Sequence, residues 1–225
     1  MGKQTDTKEK LLETATQLIW QSNYSNVGVN EICQQAGVTK GSFYHYFETK
    51  ADLFYEASEH HWVGMKKDLD ALFSPAFTPL EHLENLIQFI INIQRKAKHG
   101  DDNPVSGCPF FTAGGQAGAN EIRVREASQE MSEHAVKYCV ALVRNLKVEN
   151  VLNSELDPQQ VGRLIHQFIQ GLLIYGRVYS DLDIVKIDLR EGLYRLVDLQ
   201  HEFRQSWADS EPFFQGDILS LTVGE

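Results

Sequence analysis

A short segment near the N-terminus collects side chains that can hydrogen-bond to phosphates and to the edges of bases. Lys40 and Tyr44 lie four residues apart in a helix that begins after Thr39, and residues with this spacing share one helical face. Gly41 and His45 repeat the spacing one position later. Lysine, tyrosine and histidine can donate hydrogen bonds to such groups, and glycine permits close approach of the backbone. The pattern therefore predicts a helix whose exposed face enters a DNA groove.

Such a recognition helix needs an anchor on its other face, and two phenylalanines provide one. Phe43 and Phe47 lie four residues apart, away from the polar side chains, and are predicted to pack into a core. Thr39 can cap the helix by accepting a hydrogen bond from the backbone N–H of Ser42. Lys50, at the start of the next helix, adds a cation to a helix terminus that favours phosphate.

Two further helices are predicted before the recognition helix. Apolar residues recur at three- and four-residue intervals from Lys8 to about Gln21, which is typical of an amphipathic helix. A loop that includes Gly28 separates it from a short helix over Val29 to Ala36, and Gly37 ends that helix. The second and third helices thus flank a tight glycine turn, as in a helix-turn-helix.

The same segment carries a run of motifs: Ile32, Ala36-Gly37-Val38, Thr39-Lys40-Gly41-Ser42, Tyr44-His45-Tyr46-Phe47 and Lys50. Together they resemble the DNA-binding signature of the TetR/AcrR family of transcriptional regulators. The resemblance implies that bases or the nearby backbone are contacted by Lys40, Gly41, Tyr44 and His45. It implies that phosphates are contacted mainly by Thr39, Ser42, Tyr46 and Lys50. Gly28 is a departure, since many members have threonine there, so a side-chain cap and a phosphate contact are expected to be missing.

The rest of the chain is also predicted to be helical. Capping and proline signals place helix starts after Thr49, at Thr78-Pro79 and at Asp157-Pro158. The stretch Cys108 to Ala119 is interpreted as irregular or as a short buried helix. Long helices are predicted from Thr49 to Leu72, from Pro79 to about Lys98, from Glu121 to about Leu146, from Pro158 to about Tyr179 and from about Ile184 to Trp207. The tail from Pro212 onward is ambiguous.

These elements predict an all-α fold of about nine helices. Residues 1–50 are predicted to form a three-helix, helix-turn-helix DNA-binding domain, and residues 51–225 a larger helical domain for ligand sensing and dimerisation. The charge distribution agrees with this division. Residues 1–50 contain 5 basic and 5 acidic residues, so the remaining 16 basic and 26 acidic residues carry the whole net charge of −10. An acidic body is repelled by phosphates, which leaves the neutral end for DNA.

Composition and sequence pattern argue against a disordered, a membrane-spanning and a disulfide-bonded protein. With 42% hydrophobic and 23% charged residues, the chain should fold as a globular protein. We expect a cytoplasmic location, because no apolar run is long enough to span a bilayer and the polar start lacks a signal-peptide core. Cys33, Cys108 and Cys139 are widely spaced and match neither a zinc site nor a disulfide framework, so we expect free thiols.

The resemblance implies that the last two long helices pair with those of a second copy in a four-helix bundle. An apolar stripe on these helices agrees with this, and the glycines Gly171 and Gly176 would allow close approach. The predicted interface consists of Leu164, Phe168, Leu172, Leu193 and Leu196. An alternative stays open, because a stripe alone does not distinguish a partner from an intramolecular core.

Several side chains of the second domain are candidates to line a cavity for a small apolar or aromatic effector. They are Trp62, Phe89, Cys108, Phe110, Phe111, Tyr138, His166 and Tyr175. Core packing is the alternative for each. Cys108 could also be a reactive sensor thiol, because a helix N-terminus stabilises thiolate, but its apolar neighbours favour an inert one. A metal site at His60 and His61 is not expected, because adjacent helical positions diverge by about 100 degrees.

The leading functional hypothesis is a homodimeric repressor that a small effector releases from a palindromic operator. Activation is possible from the same parts, and so is a DNA-bound factor that recruits a protein partner without an effector. An all-helical enzyme lacks support, because no nucleophile–base pair, paired carboxylate set or metal-ligand spacing is present. No cofactor is expected.

Overall fold

The structure, a computed structural model, describes residues 2–96 and 105–204. Within these residues the chain forms nine α-helices and one 3₁₀ helix over His201–Phe203, and its strand pairing is limited to an isolated bridge between Leu152 and Leu199. The predicted all-α fold is therefore confirmed. The α-helices are α1 (Gly2–Ser22), α2 (Val29–Gln35), α3 (Lys40–Tyr46), α4 (Lys50–Leu72), α5 (Pro79–Lys96), α6 (Pro109–Gln116), α7 (Ile122–Val148), α8 (Pro158–Tyr179) and α9 (Leu182–Leu196).

Local capping fixes the starts of several helices where the sequence predicts them. Thr49 accepts a hydrogen bond from the backbone N–H of Asp52, whose carboxylate accepts one from the Thr49 N–H, which completes a capping box. Asp157 caps α8 by accepting from the N–H of Gln159, and proline occupies the first turn of that helix. Gly28 precedes α2 without a side-chain cap, as expected from its departure from the family pattern.

The last long helix ends earlier than the sequence predicts. We predicted a helix up to Trp207, whereas α9 ends at Leu196. Asp198 adopts a φ of 50° and the chain turns back on itself there. The next residues pair with the segment after α7, because Gln200 N–H donates to the Val151 carbonyl at 2.9 Å and Asn153 N–H donates to the Asp198 carbonyl at 2.8 Å. The ambiguous tail after Pro212 lies outside the described residues.

Two hydrophobic cores organise the described residues. The N-terminal core is built from α1 to α3 and the first half of α4, together with Phe110 and Ala113 of α6 and Val124 and Ala127 of α7. The C-terminal core joins α5, α7, α8, α9 and the second half of α4. Because α4 contributes Leu53, Phe54 and Ala57 to the first core, that core continues past the predicted domain boundary at residue 50.

Close helix contacts stiffen the second half of the molecule. A Cβ on Gly162 would lie 2.8 Å from the backbone nitrogen of Val140, so α7 and α8 can pack at this distance only with glycine there. The buried Glu84 carboxylate accepts hydrogen bonds from Arg190, at 2.8 Å, and from the Tyr194 hydroxyl, which joins α5 to α9.

None of the helices in residues 2–96 and 105–204 combines the length and apolar character needed to cross a membrane.

Helix α6 is fastened to its neighbours on both sides. Ser128 on α7 donates a hydrogen bond to the Phe110 carbonyl at 2.6 Å, and a Cβ on Gly114 would collide with the Ser128 side chain. Before α6, the Gln94 side-chain oxygen accepts from the N–H groups of Ser106 and Gly107 at 2.8 and 2.9 Å. These bonds hold Phe110 where the two cores meet.

Candidate functional site

Helix α3 is anchored on its inner face as the sequence predicts. Phe43 is 0% exposed and Phe47 is 2% exposed, and their ring centroids lie 5.7 Å apart within the N-terminal core. Thr39 precedes the helix in an extended conformation and accepts a hydrogen bond from the Ser42 N–H at 3.1 Å. Two buried rings and a side-chain cap therefore fix both the position and the start of this short helix.

The outer face of α3 is open to solvent. Lys40, Gly41, Tyr44 and His45 are all exposed, and 57% of Tyr44 is accessible to solvent. The Tyr44 ring leans edge-on against Phe43, with centroids 5.1 Å apart, which orients the phenol without burying its hydroxyl. The structure thus brings the predicted base-facing residues together on one accessible surface, as a helix in a major groove requires.

Three predicted phosphate contacts lie at the edges of this surface. The hydroxyl oxygens of Thr39 and Ser42 are 3.0 Å apart, so one hydroxyl hydrogen bridges them and the other can donate outward. Tyr46 is half-buried, packs against the N-terminal core and has its ring 4.9 Å from that of His45. The contacts of these three residues with phosphate stay predictions.

Lys50 has an intramolecular role that the sequence did not predict. Its ammonium group donates to the carbonyls of Tyr24 and Val27 at 3.0 and 3.1 Å and lies 4.1 Å from the centroid of the Tyr24 ring. Partial burial lowers the pKa of Lys50. The side chain therefore fastens the α1–α2 loop to the start of α4, and its contact with phosphate stays a prediction.

A cavity of about 130 Å³ lies between α1, α4, α5, α6, α7 and α8. Its wall contains every predicted effector-binding residue except Tyr175, namely Trp62, Phe89, Cys108, Phe110, Phe111, Tyr138 and His166. Tyr175 is 48% exposed on the outer surface of α8, and its ring lies against that of Tyr179 at an angle of 33°, with ring centroids 4.5 Å apart. The prediction was wrong for Tyr175, because periodicity placed it on an apolar stripe without showing which way the stripe faces.

The cavity wall also includes residues that the sequence did not single out as ligand contacts. Trp20 comes from α1, the first helix of the N-terminal region, and the pattern of α1 assigned it to no cavity. His61 follows Ala57 by four residues and Phe54 by seven on α4, and this helical spacing was the available signal. Gln94 and Gln170 add amide groups from α5 and α8. Tertiary packing alone brings these four side chains to one wall.

Burial controls the protonation of the cavity wall. It lowers the pKa of His61 to about 4, with a smaller contribution from neighbouring His60, and it lowers the pKa of His166. Both imidazoles are therefore neutral at pH 7. Burial also raises the pKa of the Cys108 thiol and outweighs the opposing effect of the N–H groups at the start of α6, which supports the inert-thiol alternative.

The described part of the chain contains no cluster of side chains that could hold a metal ion. Among residues 2–96 and 105–204, no three His, Cys, Asp or Glu side chains cluster closely enough to hold a metal ion. His61 stacks on Phe110 with ring centroids 5.2 Å apart, whereas His60 is exposed to solvent. The two neighbouring histidines thus point to different environments.

The predicted dimer interface divides into two groups. Leu172 and Leu193 are 8% and 0% exposed within one chain, so their assignment to an interface is corrected: they belong to the C-terminal core. Phe168 and Leu196 are partly buried against the same core, and Leu164 is 40% exposed. Gly176 allows α8 to approach Val185 of α9 in the same chain, so this glycine also serves intramolecular packing.

Comparison with known proteins places this geometry in a family. The family model for bacterial regulatory proteins of the tetR family matches residues 11–57. The HTH-type transcriptional regulator AcrR of Shigella flexneri is 39% identical over 173 residues, which cover 75% of this chain and 77% of that protein. The transcriptional regulator AcuR of Cereibacter sphaeroides is 29% identical over 171 residues and 76% of each protein. A crystal structure of a TetR-family transcriptional regulator from Agrobacterium tumefaciens matches with a TM-score of 0.74 at 16% identity, over 85% of this chain and 98% of that one.

The structural likeness establishes the fold, and the extended identity to AcrR establishes the relationship. The matched segment contains the whole of α2 and α3 and ends at Ala57, where α4 leaves the N-terminal core. Its relatives are transcriptional regulators rather than enzymes. The chain is a DNA-binding transcriptional regulator that belongs to the TetR family of bacterial regulatory proteins.

Proposed function

We propose that this regulator is a cytoplasmic homodimeric repressor, which leaves a palindromic operator when a small apolar or aromatic effector enters the cavity. The observation that carries the proposal is the position of Phe110. Its ring lines the cavity and also packs on Phe54 of the N-terminal core, with ring centroids 5.4 Å apart. A ligand in the cavity therefore touches a side chain that supports the DNA-binding helices.

The release mechanism requires that the effector bind one arrangement of the helices more tightly than the other. In the repressing arrangement, the two recognition helices would lie about 34 Å apart, one turn of DNA, or a multiple of that distance. A ligand that moves α4 and α6 relative to the C-terminal core changes this separation, because α4 runs through both cores. The operator then loses one of its two half-site contacts.

The central experiment measures operator affinity with and without ligands. A genome-wide binding map identifies the operator, and the labelled duplex is then titrated with the protein in the presence of small aromatic compounds. We expect at least one compound to weaken binding, and transcription from the operator-bearing promoter to rise when that compound is added. A fall in transcription would favour activation, and an empty cavity that no compound fills would favour a protein-recruiting factor.

The exposed face of α3 is proposed to contact the operator through Lys40 and Tyr44. Replacing either by alanine should weaken operator binding more than it lowers the free energy of unfolding, because both side chains are exposed and only Tyr44 loses a ring contact, with Phe43. If Lys40 contacts a phosphate, its removal lowers the slope of log K against log salt by about one. Operator affinity equal to wild type in a folded variant would remove that residue from the contact surface.

Dimerisation is proposed to use the apolar surface that α8 leaves exposed. Leu164, Tyr175, Val178 and Tyr179 are 40%, 48%, 74% and 60% exposed and follow one another along the helix. Val178→Arg should shift the protein from dimer to monomer in sedimentation, since a charge would enter a desolvated interface. Val148→Arg is the matched control, because Val148 is 79% exposed at the end of α7. A monomeric wild-type protein with full operator affinity would contradict the proposal.

A further inference from the structure

Three residues that line the cavity each carry a buried hydrogen-bonding atom with no partner among the described residues. These atoms are Nε1 of Trp20, Nε2 of His61 and Nε2 of His166. His61 is 6% exposed and His166 is 8% exposed. A buried polar atom without a hydrogen bond carries a desolvation cost that a bound ligand can offset. The cavity is thus apolar in most of its wall and polar at a few defined atoms.

Two of these atoms belong to neighbouring side chains. The rings of Trp20 and His61 have centroids 5.8 Å apart, and His61 is fixed on its other side by stacking on Phe110. An indole N–H can only donate a hydrogen bond, so its partner must be an acceptor. A neutral imidazole carries one ring hydrogen, and in the tautomer with Nε2–H it donates as well. Both rings can therefore donate a hydrogen bond to an oxygen acceptor bound beside them.

The remaining wall limits the body of the ligand. The lining residues include no Lys, Arg, Asp or Glu, so nothing in the described wall compensates a charged group. The volume of about 130 Å³ is close to that of cavities that hold one benzene ring, which are on the order of 150 Å³. Trp62 and Phe111 supply aromatic surface on the wall. An uncharged molecule with one ring fits these limits.

We infer that Trp20 and His61 form a polar subsite that binds the oxygen acceptor of a small, uncharged, single-ring aromatic ligand. This inference rests on the proposed function and names the ligand class of the same cavity. Because Trp20 belongs to α1, the ligand oxygen bonds directly to a helix of the DNA-binding region. The other described α1 side chains that build the cores belong to the N-terminal core, so among them Trp20 alone lines the cavity.

The test compares acetophenone with ethylbenzene, which differ mainly in a carbonyl oxygen. Their dissociation constants are measured by calorimetry for wild type, Trp20→Phe and Trp62→Phe. Trp20→Phe keeps an aromatic ring but removes the donor, so it should weaken acetophenone binding roughly three- to ten-fold more than ethylbenzene binding. Trp62→Phe removes similar ring area from the same wall and should affect both probes equally. Urea unfolding of each variant confirms that it is folded.

Further variants and probes distinguish the ways in which the inference could fail. His166→Phe should leave the preference unchanged; if it alone abolishes the preference, the oxygen binds at His166 and the inference is overturned. Failure of wild type to bind acetophenone, or equal loss of both probes in Trp20→Phe, also overturns it. Benzoate, with its charge, should bind at least ten-fold more weakly than acetophenone, and tighter binding would contradict an uncharged ligand. Operator affinity is measured in parallel: if the subsite result holds while acetophenone leaves operator binding unchanged, release by this ligand class fails and the subsite stands.

Discussion

The N-terminal region presents the polar side chains of α3 to solvent, whereas the cavity beside the C-terminal core is lined by residues that carry buried polar atoms. The exposed side chains of α3 surround a core in which Phe43 is wholly buried and the void beside Tyr24 and Lys50 measures about 10 Å³. The cavity beside the C-terminal core measures about 130 Å³, and it is lined by Trp20 and His61, each of which has a ring nitrogen without a partner among the described residues. One core is filled by its own side chains, and the other leaves room for a molecule.

This difference agrees with what each region is proposed to recognise. A DNA groove is read by side chains held in fixed positions, so a tightly packed core beneath them is an advantage. A small molecule is recognised by enclosure, and its site needs space and defined polar atoms. Phe110 belongs to both arrangements, since it lines the cavity and packs on Phe54. The contrast between the two cores leads to measurable differences in stability.

The largest expected effect compares one phenylalanine from each core. Phe43→Ala should lower the free energy of unfolding by about 3–5 kcal/mol, because it opens a void in a filled core. Phe111→Ala should cost only about 1–2 kcal/mol, because Phe111 is half-buried and already borders the cavity. Urea unfolding of both variants measures the difference. Equal losses would mean that the second core is packed as tightly as the first.

A second effect concerns pH and the buried histidine of the cavity. The pKa of His61 is about 4 in the folded protein and about 6.5 in an unfolded chain, so between these values only the unfolded state binds the proton. The contribution of neutral His61 to the free energy of unfolding is therefore complete above pH 6.5 and is lost as the pH falls toward 4. The loss approaches about 1.4 kcal/mol per pH unit and totals about 3 kcal/mol.

Urea unfolding between pH 7 and pH 4 tests this titration. His61→Phe should flatten the decline, while His60→Phe should leave it nearly intact, because His60 is exposed to solvent. Burial also lowers the pKa of His166, which adds a decline of the same sign. An equally steep decline in His61→Phe would show that other groups dominate the pH dependence of stability.

The smallest effect compares two lysines of the N-terminal region. Lys50→Met should lower the free energy of unfolding by about 1–2 kcal/mol, because it removes two charge-assisted hydrogen bonds and a cation–π contact. Lys40→Met should change it by less than about 0.5 kcal/mol, because Lys40 is exposed. The salt dependence of operator binding is measured for both variants. A lower slope for Lys50→Met would give this lysine a phosphate contact as well, and an unchanged stability would contradict its role in the loop.

Local features of the sequence determined much of this protein. Thr39, Thr49 and Asp157 cap helices where the sequence predicted them, because a cap depends only on residues within three positions of it. The spacing of Phe43 and Phe47 likewise separated the buried face of α3 from the exposed one. Seven of the eight predicted effector-binding residues also line the cavity, because large aromatic side chains in a helical domain are directed toward its interior.

Only the tertiary structure decided what each buried or charged side chain contacts. Periodicity showed that Leu193 lies on an apolar face of its helix, but it could not show that this face packs against the same chain. The Lys50 ammonium group donates to carbonyls more than twenty residues away in sequence. Trp20 of α1 lines a cavity whose other walls come from α4, α5, α6, α7 and α8. Such contacts depend on how helices pack against one another, and that packing is fixed by side chains distant in sequence.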